Sequence, residues 1–454
     1  MVQLVNLPKE VILIICSVIR SERSPRHVLH TTDEEIDHVL HQVQKSVTNL
    51  SLVNKEFRGL LFRESYTSIS IAGKTSASKM ISLLRLVRWN DIIRKSIRDF
   101  HLHIDEVDES PGMVQEADIM FLEQTAASLG ITINRRLRFL PIYPVPGRLF
   151  TVYEACKEGP VSFAFMASIL LLLHLHRMEE LFLEVSESHL SFIDNFCGLI
   201  EGIRFPALQS LALRGTSRGL DHHKYECEPS GLRDTDLNNL FIAAPNLCNL
   251  FVQRYHLMSL PRNTRISSLA IHGVYADFDE LSSIVGSCEQ LKSFIHVEAE
   301  HQIASMHREM HPVGSCGAFA SGNQASFLHT FVLDFRPNNL RRSLMWRISS
   351  FPDFTQLRSL WISVNSLDNA AREDENNMPI SNLPASLERF HLAGISWEIA
   401  EDLLWLADQI ELGKYPRLRE VCIEGEGHDI TNLVNRFREC GIHADSKIDK
   451  PIMW

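Results

Sequence analysis

FTQLRSLWISVN (Phe354 to Asn365), LPASLERFHLAG (Leu383 to Gly394) and YPRLREVCIEG (Tyr415 to Gly425) are three wordings of one phrase. Each opens on a turn, runs through Leu-x-x-Leu, Leu-x-x-Phe or a close variant, and ends on alternating apolar residues. Alternation at period two is the mark of a strand with one face in a core. The first leucines, Leu357, Leu387 and Leu418, stand 30 and 31 residues apart.

The phrase extends towards the N-terminus. It recurs as FLHTFVLDF (Phe327 to Phe335), CEQLKSFIHVEAE (Cys288 to Glu300), RISSLAIHG (Arg265 to Gly273), APNLCNLFVQR (Ala244 to Arg254) and FPALQSLALRG (Phe205 to Gly215). MEELFLEVSE (Met178 to Glu187) and IRKSIRDFHLHID (Ile93 to Asp105) are two earlier copies. Leu208 and Leu247 are 39 residues apart, longer than an ordinary repeat of this type, so some units carry inserts. Between the phrases lie helix-period stretches: Asp234 to Ala243, Asp277 to Cys288 and Ile399 to Leu412, with Asp234 and Asp277 expected as N-caps. One strand and one helix cannot bury their apolar faces alone, but stacked neighbours can.

This pattern resembles the leucine-rich-repeat family over roughly Ser65 to Ile448. The resemblance implies an α/β solenoid, a horseshoe with a parallel sheet on its concave face and helices outside. A doubly wound α/β domain is the alternative, but it has no need of one phrase at every strand.

Residues 1–66 read differently. NLPKEVILIICSVI has an apolar helical face at Val11, Ile12, Ile15 and Ile19, and LSLVNKEFRGLLFRES adds Leu50, Val53, Phe57, Leu60 and Leu61. The phrases LPKEVILIICSVI and LSLVNKEFRGLL resemble the two halves of an F-box, and FRESYTSISI looks like the first repeat of fungal F-box proteins, in which a strand follows the box directly. The family joins the two halves by a few residues, whereas Arg20 to Lys45 intervene here. The resulting division is an all-α F-box-like module at 1–66, with an insertion at 20–45, and a solenoid at 67–454. By this resemblance Leu7, Pro8, Val11, Ile12 and Ile15, helped by Val53 and Phe57, pack on the adaptor subunit of a cullin-type ubiquitin ligase. The alternative is that these helices only cap the solenoid.

Composition narrows the function classes. The chain has 454 residues, 45% hydrophobic and 22% charged, as an ordinary globular protein has. Its formal net charge is 45 − 56 = −11, which makes it a poor general binder of phosphate backbones. The short basic runs at Arg135, Arg136 and Arg138, and at Arg341, Arg342 and Arg347, read as solvated faces. The nine cysteines form no C-x-x-C pair, the usage of a reducing compartment, so a cytoplasmic or nuclear location is expected. Val161 to Leu175 is apolar but interrupted by Ser162, Ser168 and His174. It is too short to span a bilayer and reads as a buried helix, so no membrane partner is expected.

No Walker, dinucleotide-binding, nucleophile-elbow or H-E-x-x-H motif occurs. His296, His301, His307, His311 and Cys316 are zinc-ligand types at irregular spacing, and DHHKYEC (Asp221 to Cys227) has the same weakness. Both read as solvated loops, as does the acidic run Asp368 to Asn377. Neither enzyme activity, metal nor cofactor is therefore expected. The expected function is substrate recognition in a cullin-RING (SCF-type) ubiquitin ligase. Its alternative is a leucine-rich-repeat scaffold with no ligase link. The target-binding face is expected to include Gln209, Asn249, Ser293, His296, Ser359, Glu388 and His391, with the register deciding which neighbours face out. Long loops at Asp221 to Arg233 and His296 to Ser326 would assist.

Overall fold

The computed structural model describes most residues from 61 to 446, apart from 105–114, 135–139, 142–162, 216–230, 298–311, 336–350, 365–379 and shorter breaks. The F-box-like residues Leu7, Pro8, Val11, Ile12, Ile15, Val53 and Phe57 lie outside the described residues, as do both basic runs and the acidic run. The protein is α/β. The chain falls into two compact units: the first takes in residues up to 217 together with 235–247, the second 218–234 together with 248–454.

In the first unit the order is β1 (Ser68–Ile71), α1 (Ser76–Trp89), α2 (Asp91–Ser96), β2 (Asp99–His103), α3 (Glu116–Ser128), α4 (Phe163–His174), β3 (Glu180–Val185), β4 (Ser210–Gly215) and α5 (Asn238–Ala243). Strands β1 to β4 pair in parallel in chain order. The second unit runs β5 (Asn249–Gln253), β6 (Ser268–His272), α6 (Phe278–Gly286), β7 (Ser293–Val297), α7 (Pro312–Ser321), β8 (Thr330–Asp334), β9 (Ser359–Ser363), β10 (Arg389–Ala393), α8 (Ala400–Glu411), β11 (Glu420–Ile423), α9 (His428–Glu439) and β12 (His443–Asp445). These eight strands are likewise parallel and follow chain order. Chain-order parallel pairing within each unit is the topology of a repeat stack.

The phrase works the same way in several copies. Its first leucine closes a tight turn through its N–H: Leu208 donates to the Phe205 carbonyl at 3.1 Å, Leu357 to Phe354 at 3.2 Å, Leu387 to Pro384 at 3.1 Å and Leu418 to Tyr415 at 3.2 Å. The residue before the strand then offers its carbonyl to two N–H groups of the next repeat. The Lys292 carbonyl accepts from His329 at 2.8 Å and Thr330 at 3.0 Å, and the His329 carbonyl accepts from Arg358 at 2.8 Å and Ser359 at 3.0 Å. The turn thus satisfies its own backbone and sets the register of its neighbour.

Within a strand the second and fourth residues point to the helices. Phe294 and Phe331 meet the ring of Phe319 from α7 at 4.9 and 5.5 Å between centroids, and the first leucines Leu208, Leu291, Leu357 and Leu387 are fully buried. Each such side chain stabilises the fold by about 1.5–3 kcal/mol. The apolar stretch Val161 to Leu175 contains α4, whose Met166, Ala167 and Ile169 to Leu172 are buried, and which packs on α1 and α3. No helix among the described residues is long and apolar enough to cross a membrane.

Helix starts divide the expectations. Asp277 caps α6 in a capping box: its Oδ1 accepts from the Glu280 N–H at 2.8 Å, and Glu280 Oε2 accepts from the Asp277 N–H at 2.9 Å. Asp277→Ala is expected to lower stability by about 1 kcal/mol, read as a shifted denaturation midpoint with unchanged slope. Asp234 lies outside the described residues. Helix α5 starts at Asn238 behind Leu237, which makes no side-chain cap bond. The cap comes from Asp194, whose buried carboxylate accepts from the Leu240 N–H at 2.8 Å and the Asn239 side-chain amide at 2.9 Å.

The expected loop from His296 to Ser326 is also corrected. Its second half forms α7, which packs on α6. A Cβ added to Gly317 would come within 3.1 Å of the Phe278 ring, so the glycine permits close contact between these helices.

Candidate recognition surface

The register assigns every strand residue to a face. The first, third and fifth residues point away from the helices, because the second and fourth enter the core. In the second unit the first row is Asn249, Ser268, Ser293, Thr330, Ser359, Arg389, Glu420 and His443. The third residues are Phe251, Ala270, Ile295, Val332, Trp361, His391, Cys422 and Asp445. The fifth row begins with Gln253, His272, Val297, Asp334, Ser363 and Ala393.

Four of the expected binding residues, Asn249, Ser293, Ser359 and His391, therefore share this face. Gln209 and Glu388 stand one residue before their strands, in the row that sets the register. There the Glu388 carboxylate lies 4.0 Å from Arg358. His296 is a correction. It is the fourth residue of β7, fully buried on the helix side, with Phe335 at 5.0 Å and Phe294 at 6.4 Å between ring centroids. Burial foremost, and the neighbouring His272, push its pKa down to about 3. The imidazole is thus neutral at physiological pH and takes the place held by Ile271 and Leu333 in adjacent strands.

The middle of the face is less polar than the expected residues Asn249, Ser293, Ser359 and His391 imply. From β5 to β9 its middle row is apolar, and Phe251, Ala270, Ile295, Val332 and Trp361 are all buried. The signal was present in the strands themselves: NLFVQ, SLAIH and SLWIS are nearly continuous apolar runs, as strands buried on both faces have. Polar chemistry reappears at the C-terminal end. Arg389, Glu420 and His443 are exposed at the strand starts, while His391 and Cys422 are half-buried. The His391 ring lies 5.1 Å from that of Trp361, and its Nε2 is 3.9 Å from the Glu424 carboxylate. This corner combines an aromatic ring, an imidazole, a thiol and charges of both signs on neighbouring strands, about 4.8 Å apart. Such a set can hydrogen-bond and pair with polar groups of a polypeptide.

The first unit carries a different row on its corresponding face. His103 Nδ1 is 3.1 Å from Glu184 Oε2, and Arg214 is the register partner of Glu184 on β4. Arg214 and Glu184 are both buried. Beside them His101 stacks on Phe182 at 5.6 Å. Sequence reading missed this row because its members come from three separated repeats.

Among the described residues no group of three or more His, Cys, Asp or Glu side chains is placed to hold a metal ion. Of the histidine-rich segment, His296 faces the core, Cys316 sits in α7 with its pKa raised by burial, and His301, His307 and His311 lie outside the described residues. The short strand Gly231–Leu232 pairs with His256–Leu257; most of the loop before it is outside the described residues. No known protein family matches the chain, and no curated protein matches its sequence.

Proposed function

We propose that this chain is the substrate-recognition subunit of a cullin-RING ubiquitin ligase, with residues 1–66 docking the adaptor and the repeats holding a protein target. The observation that carries the reading is the order of the parts. F-box-like phrases at Leu7 to Ile19 and Leu50 to Leu61 are followed directly by β1 and a series of parallel repeats. Such a subunit does no chemistry itself; it raises the local concentration of a target beside the transferring enzyme. A continuous parallel sheet with a buried apolar middle row, as in the second unit, is a stiff base for that task. The corner formed by Trp361, His391, Cys422 and the Arg389–Glu420–His443 row is the part of the second unit best suited to contact a polypeptide.

The test is capture of the adaptor subunit by the full chain, beside a Leu7→Asp, Ile12→Asp variant. Wild-type binding that the variant loses by at least about tenfold supports the reading, since two buried apolar anchors carry more than 1.4 kcal/mol. Failure of a folded wild-type chain to bind would sink it. The scaffold reading, favoured by the stretch Arg20 to Lys45 between the two halves, would then replace it.

A further inference from the structure

The junction of α1 and α2 in the first unit presents apolar surface that the fold does not use. Helix α1 ends at Trp89, and Asn90 begins α2 by accepting the Ile92 and Ile93 N–H groups on its side-chain oxygen at 3.1 and 3.2 Å. Ile93 is buried and anchors the corner, while Trp89 is 79% exposed and Ile92 53% exposed. A single exposed apolar residue is ordinary. Here two sit three positions apart at a capped corner, which holds them in place.

The corner is also locally cationic. The Arg88 guanidinium lies 5.4 Å from the Trp89 ring centroid and 5.7 Å from that of Phe121, and it donates to the Thr125 hydroxyl at 2.8 Å. Arg94 and Lys95 share one carboxylate, Asp91. Three cations therefore face one anion, an excess of two positive charges in a chain whose net charge is −11. The half-buried His174 at the end of α4 belongs to the same neighbourhood. Burial is the main cause of its lowered pKa, and the charges of Arg94 and Arg88 add to it.

We propose that the Trp89–Ile92 corner is a docking site for an acidic protein segment that carries an apolar side chain. The apolar pair needs an apolar counterpart, and the cations around it select a negative flank. An excess of two charges suits a peptide with a few carboxylates. It is a weak match for the dense charge of a nucleic acid, which the rest of the chain repels. The site is independent of the ligase reading and stands whether or not residues 1–66 bind an adaptor.

The experiment is fluorescence anisotropy of the full chain with a labelled peptide of alternating Glu-Glu and Leu-Leu pairs, and with its Lys-Lys counterpart. Saturable binding of the acidic peptide is expected, weakened roughly tenfold by Trp89→Ala, as for an aromatic anchor. It should weaken severalfold with Lys95→Glu or on raising salt from about 50 to about 300 mM. Trp89 is 79% exposed and the Lys95 side chain 45%, and unchanged thermal melting of each variant confirms that it folds. The proposal is overturned by absence of saturable binding, by equal binding of the basic peptide, or by variants that bind as the wild type does. Trp89-dependent binding to phosphatidylserine vesicles in preference to the acidic peptide would assign the corner to a lipid surface and overturn it as well.

Discussion

Alanine at Asp194 is expected to destabilise the first unit by about 2–4 kcal/mol, because hydrogen bonds to a charged group contribute about 1.5–3 kcal/mol each and a buried N–H left bare adds its desolvation cost. The carboxylate is 1% exposed and serves both the Leu240 N–H and the Asn239 side chain. Removing it leaves the first turn of a six-residue helix without its only side-chain cap among the described residues. So short a helix has no stability of its own, so α5 should fray and loosen Leu240 and Ala243, both buried against the core. Urea denaturation followed by far-ultraviolet circular dichroism reads the loss. Asp194→Asn keeps an oxygen for Leu240 and should recover about half of it. A loss below about 1 kcal/mol for the alanine variant would mean that the α5 N-terminus is satisfied in another way.

The same helix shows where the sequence could be read and where it could not. Asp277 is a legible cap because its partner Glu280 is three residues away and both bonds are local. The cap of α5 is invisible because Asp194 lies 46 residues from Leu240, and Asp234 looked sufficient. All ten copies of the phrase fall on strands, since a turn, a buried leucine and an apolar run are properties of short segments. Helix α7 was hidden for the opposite reason. PVGSCGAFAS is small and glycine-containing, a composition of loops, and the packing of its helix on α6, with Gly317 against the Phe278 ring, is a tertiary contact that the segment does not display.

Face assignments were the weakest part of the reading. A strand's parity is fixed by its neighbours' register, and one residue of slip moves every side chain to the other side. Asn249, Ser293, Ser359 and His391 come together on one face because each is an odd-numbered residue of its strand. Histidine in FIHV suggested a surface, yet His296 is even-numbered and enters the core. The Cys422 position was not singled out, although aligning the phrases places it beside His391.

His296 supplies the second large effect, which is a dependence on pH. Its folded pKa of about 3 lies below the ordinary 6.5, so between these values the unfolded chain binds a proton that the folded chain refuses. Stability is therefore complete above about pH 6.5 and falls as the pH drops towards 3. The full span corresponds to roughly 5 kcal/mol at 1.36 kcal/mol per unit, of which about 2–3 kcal/mol should be gone by pH 4.5. Replacing His296 by leucine removes the titration and places an aliphatic side chain where Ile271 and Leu333 stand in the flanking strands. The stability of His296→Leu relative to the wild type should rise by about 2–3 kcal/mol between pH 7 and pH 4.5. Carboxylates elsewhere add their own acid dependence, equal in both proteins, so the difference between the two curves isolates the imidazole. His296→Gln tests the charge with a polar side chain: it should flatten the same acid window, because an amide does not titrate there. Parallel wild-type and His296→Leu curves from pH 7 to 4.5 would mean that protonation is accommodated, and that β7 can shift to let water reach the ring.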